Sequence, residues 1–228
     1  MPHETRLLAD LTEPQREAVL TTEGPVLLLA AAGSGKTRVI TRRIAYLLSL
    51  GVPAWQILAL TFTNKAAGEM RERVERILSD DPEGSAGPPR GLTVTTFHAL
   101  CARLLRRYAP LMEGAPRWGI RHDYTIYDTD DQLALMKRVI ADANMSSGNW
   151  PPRSVLSKIS AAKNELLDAS AFAARSQGEF NARMIARLYE GYERALRAAN
   201  AVDFDDLLML TVRMLRECDE ARNEVQAR

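Results

Sequence analysis

The stretch "LLLAAAGSGKTRV" at residues 27–39 decides how the rest of the chain is read. It passes from an apolar segment through a glycine-rich turn into a helical pattern. A phosphate-binding loop needs a strand to deliver the chain, inward-facing backbone N–H groups, a lysine over the β and γ phosphates, and a hydroxyl for magnesium. Val26–Leu29 takes the place of the strand; Ala32 leads into the turn made by Gly33, Ser34 and Gly35. Lys36 supplies the phosphate clamp and Thr37 the magnesium ligand, where the positive end of the helix dipole faces the anion. Gly33 and Gly35 stand where a positive φ or a close backbone approach is required. Ala30 holds the outer end of the pattern, where glycine is usual, and its methyl group fits if the backbone there is not left-handed. An ordinary exposed turn is the alternative, and the strand before and helix after argue against it.

Working outward, the same sentence recurs. "VLLLA" (26–30), "ILALT" (57–61) and "LTVTT" (92–96) are short apolar runs, each followed by an amphipathic helical pattern. Strand then helix, three times over, predicts a parallel sheet with crossover helices. "DDPEGSAGPP" (80–89) reads as an exposed loop. After about Pro110 the text becomes helical, with helices expected over 129–144, 154–167, 179–200 and 204–218, interrupted by a short "YTIYD" (124–128). The prolines of "SGNWPPRS" (147–154) separate the first two. The final "CDEARNEVQAR" reads as a charged end with no closing element. The expected fold class is α/β, a P-loop NTPase (RecA-like) parallel sheet, incomplete, with an all-helical insertion subdomain. The expected segments are 1–109 for the first part of the ATP-binding domain, 110–203 for the insertion, and 204–228 for a helix returning to the sheet.

Composition is that of an ordinary globular protein: 228 residues, 46% hydrophobic, 26% charged, net charge +1. Bulk charge therefore neither demands nor excludes a polyanionic partner. No apolar run is long enough to span a bilayer, and the first fifteen residues lack a secretory pattern, so a cytoplasmic location is expected. Cys101 and Cys218 lie far apart and, with three scattered histidines, make no zinc pattern; they read as reduced thiols.

"LTEPQREAV", "AAAGSGKTRV", "LALTFTNKAAGEM", "VTTFHALCARLLR", "SAAKNELL" and "VDFDDLL" occur in that order. The series resembles the N-terminal part of the UvrD/Rep/PcrA family of superfamily 1 ATP-dependent DNA helicases over nearly the whole chain. In that family an alanine commonly opens the loop, as Ala30 does here. The resemblance implies ATP and Mg2+ as cofactors, single-stranded DNA and single-strand/double-strand junctions as partners, and 3′ to 5′ unwinding in repair or replication. It also implies residue roles. Gln15 resembles the glutamine that reads the adenine edge, for which a side-chain amide has both donor and acceptor; by itself it reads as a solvated glutamine at a helix start. Arg38 resembles an arginine stacked on the base; by itself it is a helix-surface charge.

The segment after the second strand lies at the carboxyl edge, where open parallel sheets bind ligands. There Phe62 would stack on an unpaired base, Thr61, Thr63 and Asn64 would supply polar contacts, and Lys65 would meet the phosphates. The competing possibilities are a buried phenylalanine and a helix cap from Thr63 or Asn64. Thr96 and His98 in "TTFH" (95–98), with Lys163 and Asn164 in "SAAKNELL", complete the DNA-facing set by resemblance; a solvated helix end is the other reading of the last two. Asp203, Asp205 and Asp206 suit a helix N-terminus better than a metal site.

Family members place their magnesium-holding and water-orienting acids in a "DE.QD" stretch that does not occur here, and that strand would begin just after residue 228. The chain thus reads as a piece lacking the C-terminal half of a helicase, inactive alone, whether engineered, truncated, or one segment of a longer protein. Two other readings stay open: a noncatalytic nucleic-acid-binding or regulatory fragment, and a P-loop small-molecule kinase. The kinase leaves "TFTNKAA" and "TTFH" unexplained.

Overall fold

The computed structural model describes residues 2–79, 89–112, 119–176 and 178–227; the expected loop over 80–89 falls almost entirely outside them. Two compact units result, residues 1–97 and 98–227.

The first unit begins with helices α1 (Pro2–Leu8) and α2 (Glu13–Leu20), followed by the glycine turn and α3 (Lys36–Ser49). Strand β1 (Leu58–Thr61), helix α4 (Asn64–Ser79) and strand β2 (Thr93–Thr96) then form a strand–helix–strand crossover. β1 and β2 pair in parallel, Leu58 opposite Thr93 and Thr61 opposite Thr96. Ile44 of α3, Ile57 and Ala59 beside and on β1, Met70 and Val74 of α4, and Val94 of β2 close one apolar core. A second cluster joins Leu11, Ala18, Val19 and Val39.

The delivering segment differs from expectation. Among the described residues Val26–Ala30 joins no sheet, so the expected three-stranded sheet is two-stranded here. Leu28 packs on the α2–α3 cluster, whereas Leu27 and Leu29 are 83% and 85% exposed. The chain has the alternation of a strand with one covered face. A run apolar on both faces needs cover on both to act as a buried parallel strand, and only the Leu28 side has it.

The second unit is mostly helical: α5 (Phe97–Met112, its first residue at the unit boundary), α6 (Thr129–Asp142), α7 (Pro152–Asn164), α8 (Ala169–Arg175), α9 (Phe180–Ala198), α10 (Phe204–Glu217) and α11 (Asp219–Gln226). α5 runs past Pro110, and the charged end forms α11 with Ala221 buried rather than trailing off. The stretch at 124–128 yields strand β3 (Thr125–Ile126), parallel to β4 (Ala201–Val202). Asn200, left-handed at φ 47°, ends α9 and fixes this pairing: its side chain accepts from the Arg121 amide at 2.8 Å and donates to Asp123 at 2.9 Å. Asparagine tolerates that conformation better than most residues. One core joins α5, α10 and α11; another, around Met136, Ile140, Ile159, Leu188, Tyr189 and Tyr192, joins α6, α7 and α9. Among the described residues no helix is long and apolar enough to cross a membrane.

Candidate functional site

The glycine turn has the conformation its sequence demands. Gly33 and Gly35 lie at φ 77° and 86°, the left-handed region that side chains disfavour. A Cβ on Gly35 would also stand 3.1 Å from Gln15 Nε2. Ala30 is not among the positive-φ residues, so its methyl group is accommodated. Lys36 opens α3 and curls its ammonium over the loop, donating to the carbonyls of Ala30 at 3.0 Å and Ala31 at 2.7 Å. Ser34 Oγ donates to Ala31 at 2.7 Å. Ala32 and Arg38 are exposed, Thr37 is half-buried beside Lys36, and Arg38 lies 3.8 Å from Asp10.

Gln15 ties this loop to α2. Its Oε1 accepts from the Thr12 amide at 3.1 Å as part of a capping box, and its Nε2 donates to the Ser34 carbonyl at 2.9 Å. An amide carries two N–H donors and two acceptor lone pairs, so one of each remains for a ligand. The left-handed glycines, the adjacent ammonium and hydroxyl, and the helix start fit a nucleotide triphosphate with its magnesium. Bound there, the metal would neutralise phosphate charge and Thr37 would be its protein ligand.

At the carboxyl edge of the sheet, β1 and β2 each end in Thr-Phe. The register sets Thr61 against Thr96, so Phe62 and Phe97 emerge side by side with ring centroids 5.7 Å apart. Phe62 is 90% exposed, which removes the buried-phenylalanine reading. Phe97 was not anticipated, although the repeated Thr-Phe was visible. Thr61 and Thr96 are corrected in the other direction: both are buried, and Thr61 Oγ1 donates to the Thr63 carbonyl at 3.0 Å, closing the turn. Thr63 caps α4 by accepting from the Ala66 amide at 3.1 Å. Asn64 and Lys65 are exposed beside Phe62 in the chain.

In the second unit His98 is half-buried and sets its ring edge-on to Phe204, centroids 5.7 Å apart. Lys163 requires the larger correction. It does not face outward: the residue is 1% exposed, and Nζ lies 2.6 Å from Asp206, 2.8 Å from Asp203 and 2.8 Å from Glu193. Burial opposes its charge, but Asp206, Glu193 and Asp203 outweigh that and hold its pKa well above the ordinary value. Burial pushes Asp206 well above the carboxylate range, with Lys163 offsetting part of the rise. Tyr192 donates to Asp203 at 3.2 Å. Asp203 and Asp206 also form the capping box of α10, as their position suggested. The sequence held a signal for all this. Val155, Ile159, Ala162 and Lys163 fall at helical spacing on one buried stripe of α7. Asn164, next in sequence, is exposed and bonds back to the Ser160 carbonyl at 2.9 Å.

The chain as a whole has relatives among known proteins. Residues 11–228 match the profile of the UvrD/REP helicase N-terminal domain. The chain belongs to that family. It is similar to the ATP-dependent DNA helicases PcrA of Leuconostoc citreum (44% identical over 92% of this chain), Bacillus subtilis strain 168 (42% over 94%) and Staphylococcus aureus (43% over 94%). The matched region is 26%, 27% and 28% of those proteins, so the chain spans about a quarter of the length of these relatives.

Proposed function

We propose that residues 1–228 are the ATP- and single-stranded-DNA-binding N-terminal part of an ATP-dependent DNA helicase working 3′ to 5′, at junctions, in repair or replication. The fold behind this reading is a P-loop NTPase sheet of the RecA type carried by 1–109, with a helical insertion over 110–203 and a returning helix over 204–228. Lys36 and Thr37 carry the phosphates and magnesium; Ala32, Gly33, Ser34 and Gly35 line them; Gln15 and Arg38 meet the base. Phe62, with Thr63, Asn64 and Lys65, meets the DNA strand, and His98 and Asn164 are DNA contacts of the second unit. Turnover and unwinding belong to the whole protein.

One observation carries the reading: two left-handed glycines bracket Ser34 while Lys36 spends its ammonium on loop carbonyls. An ammonium held by neutral carbonyls gains by exchanging them for phosphate oxygens, since the opposite charges add Coulombic attraction to the hydrogen bond. A thermal-shift titration tests this. Nucleotide with magnesium at tenfold its Kd stabilises the folded state by about 1.4 kcal/mol, raising Tm by roughly 3–6 °C for a chain this size. Lys36→Ala abolishes the shift. Equal shifts in both proteins would refute the assignment.

A further inference from the structure

The second unit has a cavity of about 510 Å³ between the turn before α7, α7 itself and the start of α9. Trp150 and Phe180 supply its aromatic walls, Asn149 and Asn181 its amides, and Ser154 and Lys158 a hydroxyl and a cation. We infer that this groove is a second single-stranded-DNA contact, in which an unpaired base enters between Trp150 and Phe180 and its phosphate meets Lys158. The inference rests on the proposal that the chain binds single-stranded DNA, and extends it to a site remote in sequence from Phe62.

The groove is pre-formed. Asn149 and Trp150 sit on a turn closed by their amides, which donate to the Ser146 carbonyl at 3.1 and 3.0 Å. Trp150 is packed from behind by the α6–α7–α9 core, which leaves its indole little freedom. Phe180 is 63% exposed at the first position of α9 and belongs to none of the core clusters. One aromatic open to water and a second packed against the core line the same cavity, and together they offer a base two stacking surfaces.

The polar groups select the occupant. Each amide has donors and acceptors, matching the mixed edge of a base. The lining contains one cation and no carboxylate; Glu179, which precedes Phe180, does not line it. Among the described residues Lys158 forms no ion pair, so its charge is available to a phosphate. The volume lies within the range of small-ligand sites.

Binding of labelled oligothymidine to the 228-residue chain tests the inference. Stacking is worth about 1–3 kcal/mol per base, so Phe180→Ala weakens binding about tenfold while Phe180→Tyr retains it. Phe180 is exposed, so neither change disturbs folding. Lys158→Gln lowers the slope of log affinity against log salt by roughly 0.7. On a base-free deoxyribose-phosphate oligomer the Phe180→Ala effect disappears. In a Trp55→Phe, Trp118→Phe background, oligothymidine quenches the remaining Trp150 fluorescence. If Phe62→Ala weakens binding while Phe180→Ala and Lys158→Gln do not, the groove is overturned and the first contact stands. An equal Phe180→Ala loss on both oligomers overturns stacking. If the parent chain binds no oligothymidine at all, both proposals fall.

Discussion

Lys163→Met is the most informative single change in the second unit. It keeps the length and apolar stem of the side chain but removes the charge that three carboxylates share. Asp203 remains partly satisfied by Tyr192 and the Asp206 amide, the latter at 2.8 Å. Asp206 keeps the Asp203 amide at 3.2 Å, and Glu193 keeps Arg197 at 3.4 Å. Asp206 Oδ1 and Glu193 Oε1 lose their nearest cation. Removing one partner of a buried ion network costs about 3–5 kcal/mol, because the rest is left uncompensated. Urea unfolding at pH 7, followed by far-UV circular dichroism, reads that loss as a lower midpoint. The pH dependence gives an independent sign. Uncompensated buried carboxyls have folded pKa values raised above the unfolded ones, so the folded state binds more protons. Their contribution is therefore favourable below the unfolded carboxyl range and lost as pH rises through the folded values. The deficit of Lys163→Met accordingly shrinks from pH 7 towards pH 4, and Lys163→Met with Asp206→Asn recovers part of it at pH 7. A variant within about 1 kcal/mol of the parent at every pH, with weaker DNA binding, would show that Lys163 lies on the surface after all.

Gly35→Ala forces a side chain into a left-handed position and sets its Cβ 3.1 Å from Gln15 Nε2, so it lowers stability by about 1–2 kcal/mol and abolishes the nucleotide-dependent Tm shift. Phe97→Ala weakens oligothymidine binding, and with Phe62→Ala the losses are less than additive, because the rings are 5.7 Å apart; a double-mutant cycle by anisotropy checks this. Burial opposes the Asp168 charge, but Ser170, the Ala171 amide and Arg213 lower its pKa to about 2, so its stabilisation is lost as pH falls from about 5 to 2. Arg213→Leu flattens that acid limb in Tm against pH. Leu27→Lys with Leu29→Lys raises solubility without lowering Tm, since both side chains already face water.

What could be read in the sequence follows from how local the causes are. The glycine turn, the crossover around β1 and β2, and the capping acids of α10 depend on neighbours within a few residues, and each is where the pattern put it. Val26–Leu29 failed as a paired strand because pairing needs a partner, which a single stretch cannot disclose. β3 and β4 were missed as a pair because they lie seventy-six residues apart, joined through Asn200. α11 looked like a charged tail because one buried alanine, Ala221, anchors it. Lys163 and Asn164 were read together as DNA-facing, with a solvated helix end as the alternative, yet a helix turns about 100° per residue, enough to send one side chain inward and leave the next in water. Resemblance named the pair; periodicity separates them.

The same reasoning explains how the glycine loop holds its shape. Its polar side chains are committed to internal partners: Lys36 to the Ala30 and Ala31 carbonyls, Ser34 Oγ to Ala31, and Gln15 to Ser34 and Thr12. These bonds lower the conformational freedom that binding would otherwise have to remove. They also set a threshold, because Lys36 must release two bonds of about 1.5–3 kcal/mol each before it can reach a phosphate. A single weak anion offers too little in return. A triphosphate, with several charged oxygens within reach of the loop amides and Lys36 together, offers more than the loop gives up. On the proposed reading, the arrangement favours polyphosphates over inorganic phosphate, with the spare donor and acceptor on Gln15 left for the base.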